Sequence, residues 1–306
     1  GMAGASFGIA LSLGSGWYPP KYKGLAMGIA GAGNSGAVLA ALFAPPAAKA
    51  IGWDAVYTYA IIPIAIVMIG MQIFAKEPPD REEKHSLREY AKVLVNRDVW
   101  VFNLIYMVTF GGYIGLTSFI PTLFHEQYGI AKESVGQYSA VVIVMASILR
   151  IVGGGAADKI GGLRMLLVLC TTIIALTMVA ALIPASPWVM VGVLAILFSA
   201  MGAGNGAVFQ LVPLRFRTTT AVAGSLVGEI GALAGAALPI AMGLGRESTG
   251  SYAPGFLSGS FLSVMVLGVL FVVMKQWTTS WVGTGGKALP EHHLDGEMLA
   301  VKGGER

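Results

Sequence analysis

Residues 134–164 read SVGQYSAVVIVMASILRIVGGGAADKIGGLR, and this stretch decides the fold. Ser134 to Ala156 is a run of small and apolar residues broken by a single charge, Arg150. About 20 predominantly apolar residues cross the hydrocarbon core of a bilayer as a helix. Asp158, Lys159 and Arg164 then crowd together among glycines, as expected where a span meets water. A guanidinium inside such a span is costly, and charges that persist there usually have a function.

Eight further runs of the same kind flank this one, giving nine expected spans at 2–18, 24–44, 54–75, 99–120, 134–156, 165–183, 188–212, 219–242 and 254–275. Apolar residues make up 55% and charged residues 12% of 306 positions, with mean hydropathy +0.72. A soluble domain carries about 25% charged residues. The reading is an all-α polytopic membrane protein. Pro19-Pro20, Pro45-Pro46, Pro184, Pro187, Pro213 and the glycines from 243 to 250 stand where spans are expected to end. Residues 76–98, rich in both charges, form the expected linker between 1–75, which holds three helices, and 99–277, which holds six. Residues 278–306 read as a disordered cytoplasmic tail.

Alternating the spans places sixteen Lys and Arg residues on one side and only Lys49, Lys132 and Arg246 on the other. The basic side is then cytoplasmic, with the C-terminus on it. That bias also accounts for the net charge of +4, so nucleic acid is not implied. The lone Cys170 excludes an intrachain disulfide or a cysteine-built metal site. His292-His293 lacks a third ligand nearby, so no metal and no cofactor is expected. The spans hold no histidine, which excludes a histidine proton relay or a haem site within them.

Helical rise places the polar and aromatic residues of several spans at similar depth. At about 1.5 Å per residue, Arg150, Glu229, Asn34, Asn205, Tyr106, Phe110 and Phe7 share a layer near mid-membrane. Arginine offers a planar fork matching a planar oxyanion, asparagine and tyrosine offer hydrogen bonds, and aromatic faces can sandwich a flat solute. The layer therefore suits a small flat anion, a carboxylate included. Plainer roles stay open: Arg150 neutralising Glu229, the two asparagines bonding between helices, and Tyr106 and Phe110 simply packing.

The segment Gly154-Gly155-Ala156-Ala157-Asp158-Lys159-Ile160-Gly161-Gly162-Leu163-Arg164 resembles the cytoplasmic loop motif of the major facilitator superfamily. Gly28-Ile29-Ala30-Gly31-Ala32-Gly33-Asn34-Ser35-Gly36 resembles the fifth-helix signature of its nitrate/nitrite porter family. Gly224 to Gly235, containing Gly228-Glu229-Ile230-Gly231, resembles the eleventh-helix counterpart. The resemblance implies the fourth to twelfth helices of a twelve-helix transporter, with three helices and a second arginine outside this chain. It implies substrate contacts at Arg150, Asn34, Tyr106, Phe110 and Phe7, to which the shared layer and the glycine stretches add Asn205, Gly33 and Gly231. Gly154, Asp158, Lys159, Gly161 and Arg164 form the loop motif, and Glu229 is the candidate for proton coupling.

The expected function is alternating-access transport of nitrate or nitrite across the inner (cytoplasmic) membrane, by exchange or proton symport, by a monomer whose partners are the anion, protons and the lipid bilayer. A carrier of formate or oxalate is the nearest alternative, and a non-transporting anion sensor a more distant one. The spans lack the histidine or acidic cluster that a membrane enzyme would need.

Overall fold

The computed structural model describes residues 17–76 and 87–289. Within lipid every backbone N–H and C=O must be satisfied by the chain itself, which leaves helices and closed barrels as spanning structures. The described residues contain no strand, and eight of their helices are long and apolar enough to cross a membrane. In chain order the helices are α1 (Lys23–Ile51), α2 (Trp53–Phe74), the short α3 (Leu87–Val95), α4 (Arg97–Tyr128), α5 (Val135–Ile160), α6 (Gly162–Ala181), α7 (Pro187–Arg215), α8 (Thr220–Thr249) and α9 (Ala253–Ser280). The first expected span, 2–18, lies almost wholly outside the described residues.

Several helices run past their expected stops. Pro45 and Pro46 lie inside α1, Pro213 inside α7, and α8 continues through Gly243 to a left-handed cap at Gly250 (φ +73°). Proline breaks a helix in water because its lost hydrogen bond and ring clash are unfavourable. In an apolar setting leaving the helix would expose many more backbone groups, so the helix continues. Pro187 does start a helix, at its first turn where the missing N–H costs nothing.

Helix association in lipid depends on close packing rather than on hydrophobic burial. The α5–α7 crossing shows this most strongly. A Cβ on Gly206 would lie 2.5 Å from the Arg150 carbonyl oxygen and the Gly154 nitrogen, and one on Gly202 would strike the Ala146 carbonyl. α1 lies along α5 and α7 by the same means: a Cβ on Gly28 would be 2.9 Å from the Arg150 carbonyl oxygen. None of the residues of α2 is buried.

One end of the bundle gathers Lys23, Asp98, Asp158, Arg164 and Arg215, and is here termed the basic end. Asn96 caps α4 by accepting from the Asp98 N–H at 2.9 Å. The Asp98 carboxylate then pairs with Arg215 and accepts from the Trp277 indole N–H at 2.9 Å. The chain after α9 stays at this end. Residues 281–289, expected to belong to the disordered tail, are packed: Gly285 and Gly286 adopt left-handed backbone (φ +74° and +91°), and the Gly286 carbonyl accepts from Gln210 Nε2 at 3.3 Å. Left-handed backbone needs glycine, and that is why the turn forms here. The rest of the expected tail, with His292 and His293, lies outside the described residues, as does 77–86 of the expected linker. Part of that linker is helical, because α3 is seated by buried Val93 and by the Trp100 indole donating to the Leu94 carbonyl at 2.8 Å.

Candidate functional site

Arg150 lies mid-way along α5 with only 1% of its surface exposed. Its Nη2 donates to the Tyr106 hydroxyl at 3.2 Å. The guanidinium carbon sits 5.7 Å from the Phe110 ring and 5.9 Å from the Phe209 ring, within reach of cation–π attraction. Tyr106 stacks on Phe110 with centroids 4.8 Å apart and meets Phe209 edge-on at 5.1 Å. A cation is thus held in a cage of three aromatic rings from α4 and α7.

The cage depends on a local irregularity. Met107–Gly111 of α4 forms a π-turn between ordinary helical segments, with Tyr106 just before it and Phe110 within it. Such single-turn widenings are frequent at functional sites. Glycines of two other helices let backbone close in around the cage. A Cβ on Gly231 of α8 would lie 2.6 Å from the Tyr106 ring, and one on Gly31 of α1 would fall on the Arg150 guanidinium itself.

Arg150, Tyr106, Phe110 and Gly231 therefore meet as expected. Asn205 is buried on α7 beside Gly206, and its side-chain oxygen has no hydrogen-bond partner. Asn34 occupies a 3-10 turn, Ala32–Ser35, within α1. Phe7 lies outside the described residues. Two further residues of the expected set lie apart from the cage. Among the described residues nothing lies within 4 Å of a Cβ added at Gly33 or Gly36, whereas Gly28 and Gly31 pack closely against Arg150 of α5. Glu229 is exposed on α8 and makes no ion pair with Arg150. The helix advances about 100° per residue, so with Gly231 against Tyr106 the side chain two positions earlier points away.

Three participants were not anticipated. Phe209 completes the cage, and its spacing four residues after Asn205 on one helix was a legible signal. Gly31 was quoted within its signature but not singled out. Asn103, one turn before Tyr106, is buried with neither side-chain amide atom bonded. A lone asparagine in an apolar run gave little sign of that.

The loop motif lies at the basic end. Both Asp158 carboxylate oxygens accept backbone N–H groups from the first turn of α1, Gly24 at 3.0 Å and Leu25 at 2.9 Å. An anion there complements the positive end of the helix dipole. A Cβ on Gly154 would run into the Gly24 carbonyl, so the helices can approach only because glycine occupies both positions. Gly161 (φ +100°) makes the one-residue break between α5 and α6, with the Gly285 backbone against it. Lys159 and Arg164 are exposed, the Arg164 stem lying against Gly285.

Chemically, the arrangement offers a permanent cation and a hydroxyl against the faces of flat rings, with the buried amides of Asn103 and Asn205 on the same two helices, α4 and α7. The planar guanidinium fork matches an oxyanion with two coplanar oxygens.

A family model described as Major Facilitator Superfamily matches residues 1–239. The chain is 30% identical over 283 residues to the nitrite extrusion protein of Bacillus subtilis (strain 168), covering 90% of this chain and 69% of that one. It is 31% identical over 274 residues to the probable nitrate transporter NarT of Staphylococcus aureus (strain bovine RF122 / ET3-1), covering 89% and 69%. Among solved structures it resembles the major facilitator transporter FucP in the outward conformation, with TM-score 0.66 and 15% identity over 86% of this chain and 71% of that one. That likeness concerns the fold alone.

Proposed function

The chain belongs to the major facilitator superfamily and, within it, to the nitrate/nitrite porters, and from that premise we propose that it carries nitrate and nitrite across the cytoplasmic membrane by exchange. The observation that carries this reading is the Arg150 guanidinium, buried, bonded to Tyr106 and faced by Phe110 and Phe209. Nitrate and nitrite are small planar oxyanions, and the fork and ring faces match that shape.

The basic end is cytoplasmic in this reading and is held shut in this conformation. α1 belongs to the N-terminal half, while α5 and α7 belong to the C-terminal half. Asp158 joins the halves by its two bonds to the start of α1. Opening toward the cytoplasm breaks those bonds and separates Gly24 from Gly154, while the opposite end closes.

Exchange is favoured over proton symport by two facts. An arginine stays protonated at any accessible pH, and the exposed Glu229 is not paired with it. Anion return then re-neutralises Arg150 without a proton.

Proteoliposomes loaded with nitrite and given isotopic nitrate outside provide the test. Uptake should require internal nitrite or nitrate, and should be unaffected by collapsing a pH gradient. Stronger competition by formate or oxalate than by nitrite would transfer the site to organic anions, and uptake driven by a pH gradient alone would overturn exchange.

A further inference from the structure

Behind the π-turn, on the side away from Arg150, lies a cavity of about 280 Å³ enclosed by α4, α6, α7, α8 and α9. Its walls are hydrocarbon: Leu116, Ile173, Met201, Leu238, Phe256 and Leu262. Met107, Val108 and Gly112, at or beside the π-turn, form one side of it. A dry cavity of roughly 150 Å³ lined by Leu, Ile and Phe already admits benzene or xenon.

Its hydroxyls do not make it polar. Thr177 donates to the Ile173 carbonyl at 2.7 Å and meets the Ser260 hydroxyl at 2.7 Å. Ser258 donates to the Gly255 carbonyl at 2.7 Å and Ser263 to the Gly259 carbonyl at 2.8 Å. A resident water needs about two to four polar partners, and these groups are engaged with their own helices. The occupant should therefore be hydrocarbon.

The cavity reaches the outer surface of the bundle between α8 and α9. Ala237 and Ser258, both exposed, line that edge, with Gly259 just inside. Both helices are long and apolar enough to cross a membrane, so this edge opens at the level of the bilayer's acyl region. A Cβ on Gly259 would have only Leu238 and Thr177 methyl groups near it, each at 3.9 Å, so there is room to pass and room to block.

We propose that this cavity is a binding site for a single lipid acyl chain, which enters from the bilayer between α8 and α9 and lies against the back of the π-turn. The inference rests on the membrane setting alone and is independent of which anion is carried.

The test uses the full chain in phosphatidylglycerol vesicles whose acyl chain bears a mid-chain diazirine, with cross-links mapped by mass spectrometry. Leu116, Ile173 and Met201 are 2%, 1% and 3% exposed, so a chain can label them only from within. The expected result is labelling of these residues, lost in Gly259→Leu and in Ala237→Phe, with labelling of lipid-facing Phe261 retained in all three proteins. Labelling confined to exposed residues such as Phe261 in the unmodified protein would overturn the site. Inner-wall labelling that survives both folded variants would overturn the portal.

Discussion

At the scale of single residues, the cage around Arg150 gives the sharpest expectations. Tyr106→Phe removes the hydroxyl that accepts from Nη2 but keeps the stack on Phe110. That hydroxyl keeps its own proton to donate to a bound oxyanion, and a hydrogen bond to a charged group contributes about 1.5–3 kcal/mol. Nitrate affinity measured by calorimetry should therefore fall by roughly tenfold, since about 1.4 kcal/mol is a factor of ten. Glu229→Gln should leave affinity within about twofold of the parent, because the Glu229 side chain points away from the cage and makes no ion pair with Arg150. Arg150, Tyr106 and Phe110 were legible because a charge or a polar aromatic stands out against an apolar run. Glu229 stood out equally, yet depth along a helix says nothing of rotation about it. Gly31→Ala and Gly231→Ala should each reduce binding severely, for each Cβ would strike a cage side chain, whereas Gly33→Ala should bind normally.

At the scale of elements, the spans were legible from apolar length alone, and their ends were not. Pro45, Pro46 and Pro213 carry stop signals that hold in water, and the lack of water around the backbone overrides them. The π-turn was invisible to periodicity; in the structure it packs closely on α8, where a Cβ on Gly111 would lie 2.6 Å from the Gly231 carbonyl. The clasp between Asp158 and α1 was not legible, because its partners, the bare N–H groups of Gly24 and Leu25, carry no sequence signal. A carboxylate capping a helix start contributes about 1 kcal/mol. Asp158→Ala should shift the balance between closed and open basic ends about fivefold toward open by that figure. Distances between spin labels placed on α1 and α6 at the basic end would report it as growth of a longer-distance population. An unchanged distribution would show that the glycine contacts alone hold that end shut.

At the scale of the whole molecule, the division into two groups of helices and the clustering of basic residues at one end both follow from charge counted along the chain. Residues 281–289 pack at that end against Gly161, Leu163 and Gln210, so they share its side of the membrane. Cys170 is the sole cysteine and is buried, which leaves a silent background for labelling. In cells, Lys287→Cys should react with a membrane-impermeant maleimide only after the inner membrane is opened, and reaction in intact cells would invert the topology. The central claim concerns what the buried arginine holds, and calorimetric titration of nitrate into Arg150→Lys tests it most directly. Lysine keeps the charge but loses the planar fork and its paired hydrogen bonds. The expected result is a loss of affinity of at least about tenfold, one bidentate interaction's worth, in a protein that remains folded. Affinity within twofold of the parent would contradict the account and leave Arg150 as a structural cation.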